Sequence, residues 1–222
     1  EHQSHERLLL LPIAAEAHPL SNTVASWIWL VPILPLLGFV LNGAISLASA
    51  FHRGPAAPDM GHGGDHGDVA HTDESHGAEQ HRYAGIVSIV GPVVLALSFI
   101  LAWMIFSAMR STPMEAPFIQ RYFSWMPVGT LQIDASLQLD QLSMVMVLII
   151  TGVGTLIHIF SVGYMREDPG YPRYFAYLNL FVFFMLVLVL GSSYPVLFVG
   201  WEGVGLCSYL LIGFWFSDKA NS

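Results

Sequence analysis

The chain has 222 residues, of which 54% are hydrophobic and only 11% are charged, and its mean hydropathy is +0.58. A soluble domain carries about 25% charged residues, so this composition excludes a soluble enzyme and predicts a polytopic membrane protein. The net charge is −8, but six of the sixteen acids lie in one segment, residues 59–79. No part of the chain is basic enough to predict nucleic-acid binding. The single cysteine, Cys207, allows no internal disulfide.

About five apolar stretches are long enough to cross a bilayer as helices, and they predict an all-α membrane protein built as a helix bundle. The predicted spans are residues 27–51, 84–109, 141–165, 174–191 and 194–216. An extension, residues 1–26, precedes them, and a short tail, residues 217–222, follows. Because the sequence has no initiator Met and stops soon after a span, we expect a fragment of a longer protein.

A polar segment, residues 52–83, separates the first two predicted spans. It is rich in Gly, Pro and Asp and carries six histidines: His52, His62, His66, His71, His76 and His81. Such a segment buries too little apolar surface to offset the entropy of ordering, so it predicts a mobile loop. The histidines give adventitious metal affinity, but without cysteine they specify no tetrahedral structural site. We therefore expect a solvated insertion and no dedicated metal site.

Residues 110–140 form a polar connection that contains a strictly alternating segment, LQIDASLQLD, residues 131–140. Apolar side chains fall on one face, and polar side chains, Asp134 and Ser136 among them, fall on the other. This alternation predicts a half-buried strand with Asp134 on the solvent side. Pro127-Val128-Gly129 before it predicts the turn of a small β-hairpin.

Polar side chains also lie in or beside the third and fourth spans, which residues 166–173 connect. Asp140 directly precedes the third span and is expected to be its N-cap rather than a proton carrier. His158 lies inside that span and is a possible proton relay, because histidine titrates near neutral pH. A neutral histidine bonded to a neighbouring backbone explains it equally well. Asn179 in the fourth span is expected to hydrogen-bond across helices.

The last predicted span carries one acid, Glu202, inside the stretch FVGWEGVGLCSYLLIGFWF, residues 198–216. Counted from Tyr194, this residue would lie about 12 Å inside a hydrocarbon core about 30 Å thick. An ionised acid at that depth is costly, so such residues usually serve a function. Tyr209 follows on the same helix face, and Gly205 between them leaves room for water or a close helix.

These residues favour proton or ion handling by Glu202, with Tyr209 as a possible relay or water ligand. The alternative is a neutral acid hydrogen-bonded between helices.

The distribution of basic residues favours one orientation, with an outer N-terminus, an outer hairpin and an inner C-terminal end. The proposed inner side collects Arg53, Arg82, Arg166, Arg173 and Lys219, and the outer side collects Arg7, Arg110 and Arg121.

Three passages resemble one known family. They are LQLDQLSMVMVLIITGVGTLIHIFSVGYM (137–165), GYPRYFAYLNLF (170–181) and LFVGWEGVGLCSYLLIGFW (197–215). They resemble subunit L, the distal antiporter-like membrane subunit of bacterial proton-pumping NADH:quinone oxidoreductase, or complex I. The resemblance is dense from about residue 125 onward and implies that the chain corresponds to roughly the first third of that subunit.

The resemblance implies that the chain helps to couple NADH:quinone electron transfer to proton pumping. The family's membrane-embedded glutamate falls on Glu202, where it is thought to pair with a lysine on a later helix that this sequence does not include. His158 matches the family's LIH phrase, to which no role is attached. The implied partners are the lipid bilayer and the other membrane and peripheral subunits of complex I, in the bacterial inner membrane.

The resemblance also implies that the chain is part of an enzyme, as a subunit of the oxidoreductase complex. NADH, FMN, iron–sulfur clusters and quinone would be held by partner subunits, because the sequence has no glycine-rich dinucleotide fingerprint and no cysteine cluster. No redox centre, cofactor or metal is therefore expected in this chain. Two alternatives stay open. The chain could serve a multi-subunit cation/proton antiporter or a membrane-bound hydrogenase, or it could be a structural membrane subunit that does not pump.

Overall fold

We describe a computed structural model of the chain, which covers residues 18–52, 74–112, 114, 116–129 and 131–216. Two short 3-10 segments, Pro19–Asn22 and Val24–Trp27, come first. The remaining elements, in chain order, are α1 (Leu30–His52), α2 (Glu74–Ser111), β1 (Phe118–Val128), β2 (Leu131–Leu139), α3 (Gln141–Tyr164), α4 (Tyr171–Leu190) and α5 (Tyr194–Ile212).

Each of the five helices contains a segment that is long and apolar enough to cross a membrane, with mean hydropathies between 1.6 and 2.5. The predicted class, a polytopic helix bundle with a small β-hairpin, is therefore confirmed. α2 begins at Glu74, so residues 74–83 of the segment predicted as a loop are helical. The predictions for residues 1–17, for the histidine-rich residues 53–73 and for the tail 217–222 lie outside the described residues.

α4 lies at the centre of the bundle and packs against each of the other four helices. Its side chains Phe175, Leu186 and Leu190 are fully buried in these contacts. The outside of the bundle, by contrast, carries many large exposed apolar side chains, such as Leu142 and Phe160. Such an exterior suits a protein whose surrounding solvent is lipid rather than water.

The two ends of the bundle differ. At the hairpin end, β2 lies on the turn between α4 and α5 through a bridge between Leu137 and Gly191. At the opposite end, the loop end, the α3–α4 connection meets the end of the α5 segment, where Trp215 Nε1 donates a 2.7 Å hydrogen bond to Asp168 Oδ2. Every helix therefore runs from one of these ends to the other.

The antiparallel hairpin pairs Phe118 with Leu139 at its base and Val128 with Leu131 at its tip. Gly129 forms the turn with a φ of 58°, a left-handed conformation that favours glycine, so the predicted turn is confirmed. Two irregularities in β1 interrupt the register, between Arg121 and Phe123 and between Ser124 and Met126. The hairpin is consequently less regular than the alternating sequence of β2 suggests.

The polar face predicted for β2 is only partly solvent-facing. Asp134 lies 3.6 Å from Arg121 Nε across the hairpin, and Arg121 is well exposed. Ser136, however, is only 5% exposed, and its hydroxyl bonds that of Ser192 in the α4–α5 turn. Ser136 is buried, although it shares the polar face of the alternating segment, because β2 covers the end of the helix bundle.

Asp140 is the N-cap of α3, as predicted. Its carboxylate accepts a 2.7 Å hydrogen bond from the Ser143 backbone N–H, and the Ser143 hydroxyl accepts one from the Asp140 N–H. This reciprocal pair is a capping box. The hydrogen bond from Ser143 stabilises the ionised form and lowers the pKa of Asp140 below its ordinary value of 3.8.

Candidate functional site

The face of α5 that meets α4 is made of small residues. Gly200, Gly203 and Cys207 are buried there. A Cβ added at Gly200 would lie 2.5 Å from the backbone nitrogen of Leu188, and one added at Gly203 would overlap the Phe184 ring. The two backbones therefore approach closely, and the short turn between α4 and α5 makes these helices antiparallel neighbours.

The opposite face of α5 carries Glu202, Gly205, Leu206 and Tyr209, all of which are exposed. These positions follow the i, i+3, i+4, i+7 spacing of one helix face, and we call them the Glu202 face. A Cβ added at Gly205 would meet nothing within 4 Å, and Tyr209 is 75% exposed. Among the described residues, no other helix covers this part of α5.

Glu202 makes no hydrogen bond and no ion pair within the described part of the chain. The alternative of a neutral acid bonded between packed helices thus finds no partner among these residues. Tyr209 shares its face but lies about 10 Å farther along the helix, too far for a direct hydrogen bond. Any link between the two groups needs a water molecule or another side chain.

His158 lies elsewhere in the bundle. It is fully buried, with Nδ1 2.8 Å from the carbonyl oxygen of Gly154 and with its ring edge-on to Phe175 at 6.0 Å between centroids. Glu202 lies beside Gly203, which packs on α4 at Phe184. Phe175 and Phe184 are nine positions apart on α4, about 13 Å along the axis. The fold does not bring His158 and Glu202 together.

Asn179 makes a hydrogen bond within its own helix. Its Nδ2 donates a 2.8 Å hydrogen bond to the carbonyl oxygen of Phe175. The predicted bond to another helix stays a prediction. The side chain is completely buried, and its Oδ1 has no hydrogen-bond partner among the described residues. The α1 backbone lies against this amide at Gly38.

Sequence reasoning missed Asn42. This residue of α1 is fully buried, and neither Nδ2 nor Oδ1 has a hydrogen-bond partner among the described residues. The signal that singled out Asn179, an amide in an otherwise apolar span, was also present at Asn42. The two buried amides lie on helices that pack against each other.

Within the ranges that the structure describes, no group of three or more His, Cys, Asp or Glu side chains is placed to hold a metal ion.

The sequence of this chain is similar to known membrane subunits of one oxidoreductase. The sequence model described as NADH-ubiquinone oxidoreductase (complex I), chain 5 N-terminus, matches residues 125–175. The chain is 61% identical over 103 residues to NADH-quinone oxidoreductase subunit L of Mycobacterium tuberculosis strain H37Rv, covering 46% of this chain and 16% of the relative.

Two further relatives carry the same name. Identity is 45% over 147 residues to the Pseudomonas aeruginosa protein, covering 66% of this chain and 24% of the relative. Identity to the Escherichia coli K12 protein is 50% over 107 residues, and the aligned region covers 48% of this chain and 18% of the relative. The chain thus matches less than a quarter of the length of these relatives.

Proposed function

Because this chain belongs to the subunit L family of NADH-quinone oxidoreductase, we propose that it forms part of a proton-translocating membrane subunit of complex I. Its five apolar helices support a multi-pass membrane protein. In this proposal, the chain resides in the bacterial inner membrane with its N-terminus outside. Other subunits of complex I hold NADH, FMN, the iron–sulfur clusters and quinone, and electron transfer there supplies the energy.

The observation that carries this proposal is the exposure of Glu202 on a face of α5 that the described helices leave open. An acid in a span is costly unless it meets protein or water, so this face requires an occupant. The relatives are several times longer than the matched region. In this proposal, the rest of the full-length subunit supplies the helices that cover this face. The lysine that the family resemblance implies on a later helix is the natural partner of this carboxyl group.

The proposed mechanism is a charge switch. Low dielectric surroundings disfavour an ionised carboxyl group, and a nearby cation favours it. Two unit charges 4 Å apart interact by about 4 kcal/mol at an effective dielectric constant near 20. When the lysine approaches, the Glu202 carboxyl group would therefore release its proton. When the lysine withdraws, the carboxylate would bind a new proton. Tyr209 would hold water on the same face and extend the path by one step.

The experiment replaces Glu202 by Gln in the full-length subunit and measures protons pumped per NADH oxidised in membranes of assembled complex. Glutamine keeps the size and hydrogen bonding of the side chain but does not ionise. We expect pumping and coupled turnover to collapse, because the switch has lost its proton carrier. The variant Tyr209→Phe in the same assay isolates the contribution of the phenol hydroxyl.

Glu167→Gln is the matched control, since Glu167 is exposed outside the span. It should leave pumping unchanged. If Glu202→Gln also pumps normally while the complex assembles, Glu202 is a packing group and the structural-subunit alternative gains support. The three relatives carry the name of the NADH oxidoreductase, which favours complex I over the cation/proton antiporter alternative.

A further inference from the structure

Three buried polar side chains on three different helices have hydrogen-bonding atoms without partners. Asn42 on α1, His158 on α3 and Asn179 on α4 are all 0% exposed. The atoms without a partner among the described residues are Asn42 Nδ2 and Oδ1, His158 Nε2 and Asn179 Oδ1. Nearly all buried polar atoms in proteins are hydrogen-bonded, directly or through ordered water. These four atoms therefore call for a physical explanation.

The side chains of His158 and Asn179 lie close to each other. Both contact Phe175: the His158 ring packs on its ring, and the Asn179 amide bonds its carbonyl oxygen. Neither His158 Nε2 nor Asn179 Oδ1 has a hydrogen-bond partner among the described residues. Phe175 thus brings two side chains with unpaired atoms to the same level of the bundle.

α1 brings Asn42 to the same region. A Cβ added at Gly38 would lie 2.7 Å from Asn179 Oδ1, so the α1 backbone touches this amide directly. Asn42 follows Gly38 by four positions and lies one turn along the same helix face. We call Asn42, His158 and Asn179 the polar cluster. It occupies the half of the bundle nearer the loop end.

The existing hydrogen bonds fix which atoms of the cluster donate and which accept. His158 Nδ1 faces the carbonyl oxygen of Gly154, which only accepts, so Nδ1 carries the hydrogen. In the neutral ring, Nε2 is then an acceptor. Asn179 Nδ2 donates to the Phe175 carbonyl oxygen, so the atom left over, Oδ1, is also an acceptor. Two acceptors form no hydrogen bond with each other.

A donor between these two acceptors resolves the conflict. A water molecule donates two hydrogens, one to each acceptor, and its oxygen accepts from an amide N–H such as Asn42 Nδ2. A doubly protonated His158 would also satisfy Asn179 Oδ1. However, no carboxylate among the described residues pairs with this histidine, and an unpaired buried charge is costly.

We propose that Asn42, His158 and Asn179 form a binding site for a water molecule inside the bundle, bridged between His158 Nε2 and Asn179 Oδ1. The site is separate from the Glu202 face. One turn nearer the loop end, the hydroxyls of Ser161 and Tyr174 lie 3.3 Å apart and continue the row of buried hydrogen-bonding groups. His158 is thus a ligand of internal water and a positioning residue, and it does not contact Glu202.

The test is a cryo-electron microscopy map of the complete wild-type complex at a resolution that shows ordered water. We expect a density peak within about 3 Å of both His158 Nε2 and Asn179 Oδ1. A direct Nε2–Oδ1 contact of hydrogen-bond length with no peak between them would overturn the proposal and indicate a charged imidazole. The map is independent of pumping, so this site and the proposed role of Glu202 fail or stand separately.

A variant pair sharpens the assignment. Asn179→Leu removes one of the two acceptors, so the water peak should be lost. Ser98→Ala is the control, because the buried Ser98 hydroxyl already donates to the Val31 carbonyl oxygen at 2.7 Å and lies outside the polar cluster. The peak should survive in this variant. A peak that persists in Asn179→Leu at full height would show that the water belongs to other groups and would contradict the proposal.

Discussion

The carboxyl group of Glu202 illustrates how the chemistry of a single residue depends on the helix face that carries it. Gly203 and Cys207, which follow Glu202 by one and five positions, are buried on the face that meets α4. Glu202 itself points to a surface that no described helix covers. The same acid on the buried face would need a partner inside the bundle, whereas on this face it is accessible from outside the described helices.

Asp140 provides a prediction at the residue scale. Replacing it by Ala should destabilise the chain by about 1 kcal/mol, because the N-terminal N–H groups of α3 lose their capping acceptor. Thermal unfolding in detergent micelles measures this loss. Asp140→Asn is the control, since Asn caps helices as well as Asp does. An Ala variant as stable as the wild type would contradict a capping role.

The charge of Asp140 adds a pH dependence with a defined sign. Its pKa is lowered in the folded chain, so the ionised form is stabilised by folding. The resulting stability is present above the ordinary value of 3.8 and is lost as the pH falls through the lower folded pKa. The Asn variant should lack this acid-dependent component. A wild type and an Asn variant with identical acid profiles would contradict the assignment.

At the scale of elements, the contact of α4 with α5 rests on glycines that let the two backbones touch. We expect Gly203→Leu to weaken this contact by about 1–3 kcal/mol, because a side chain there overlaps the Phe184 ring. Gly205→Ala is the matched control within the same helix, since its added Cβ meets nothing within 4 Å. Thermal unfolding of both variants in micelles makes the comparison, and equal losses would contradict the packing described here.

At the scale of the whole molecule, the two ends of the bundle lie on opposite sides of the membrane if all five helices span it. We predict that the hairpin tip at Gly129 is outside and that the loop at Asp168 is inside, as the distribution of basic residues favours. In a Cys207→Ser background, Gly129→Cys should react with a membrane-impermeant thiol reagent in intact spheroplasts, and Asp168→Cys should react only after lysis. The reverse pattern would invert the orientation.

The sequence by itself determined the features that depend on local chemistry. Hydropathy over about 20 residues predicted the five spans, because the bilayer thickness sets the helix length. The hairpin turn at Gly129 and the cap at Asp140 were also predictable, since a left-handed φ and a helix N-terminus each demand particular residues within a few positions. The sequence also predicted a functional role for Glu202, from an acid within an apolar span, and this role stays a prediction.

Only the tertiary structure decided which helix faces meet. The helices are apolar almost all round, so their sequences do not indicate how each is rotated about its axis. For that reason the open position of Glu202, the burial of Ser136 and the intrahelical bond of Asn179 did not follow from the sequence. The convergence of Asn42, His158 and Asn179 depends on three helices that are far apart in the chain, and long-range packing alone brings them together.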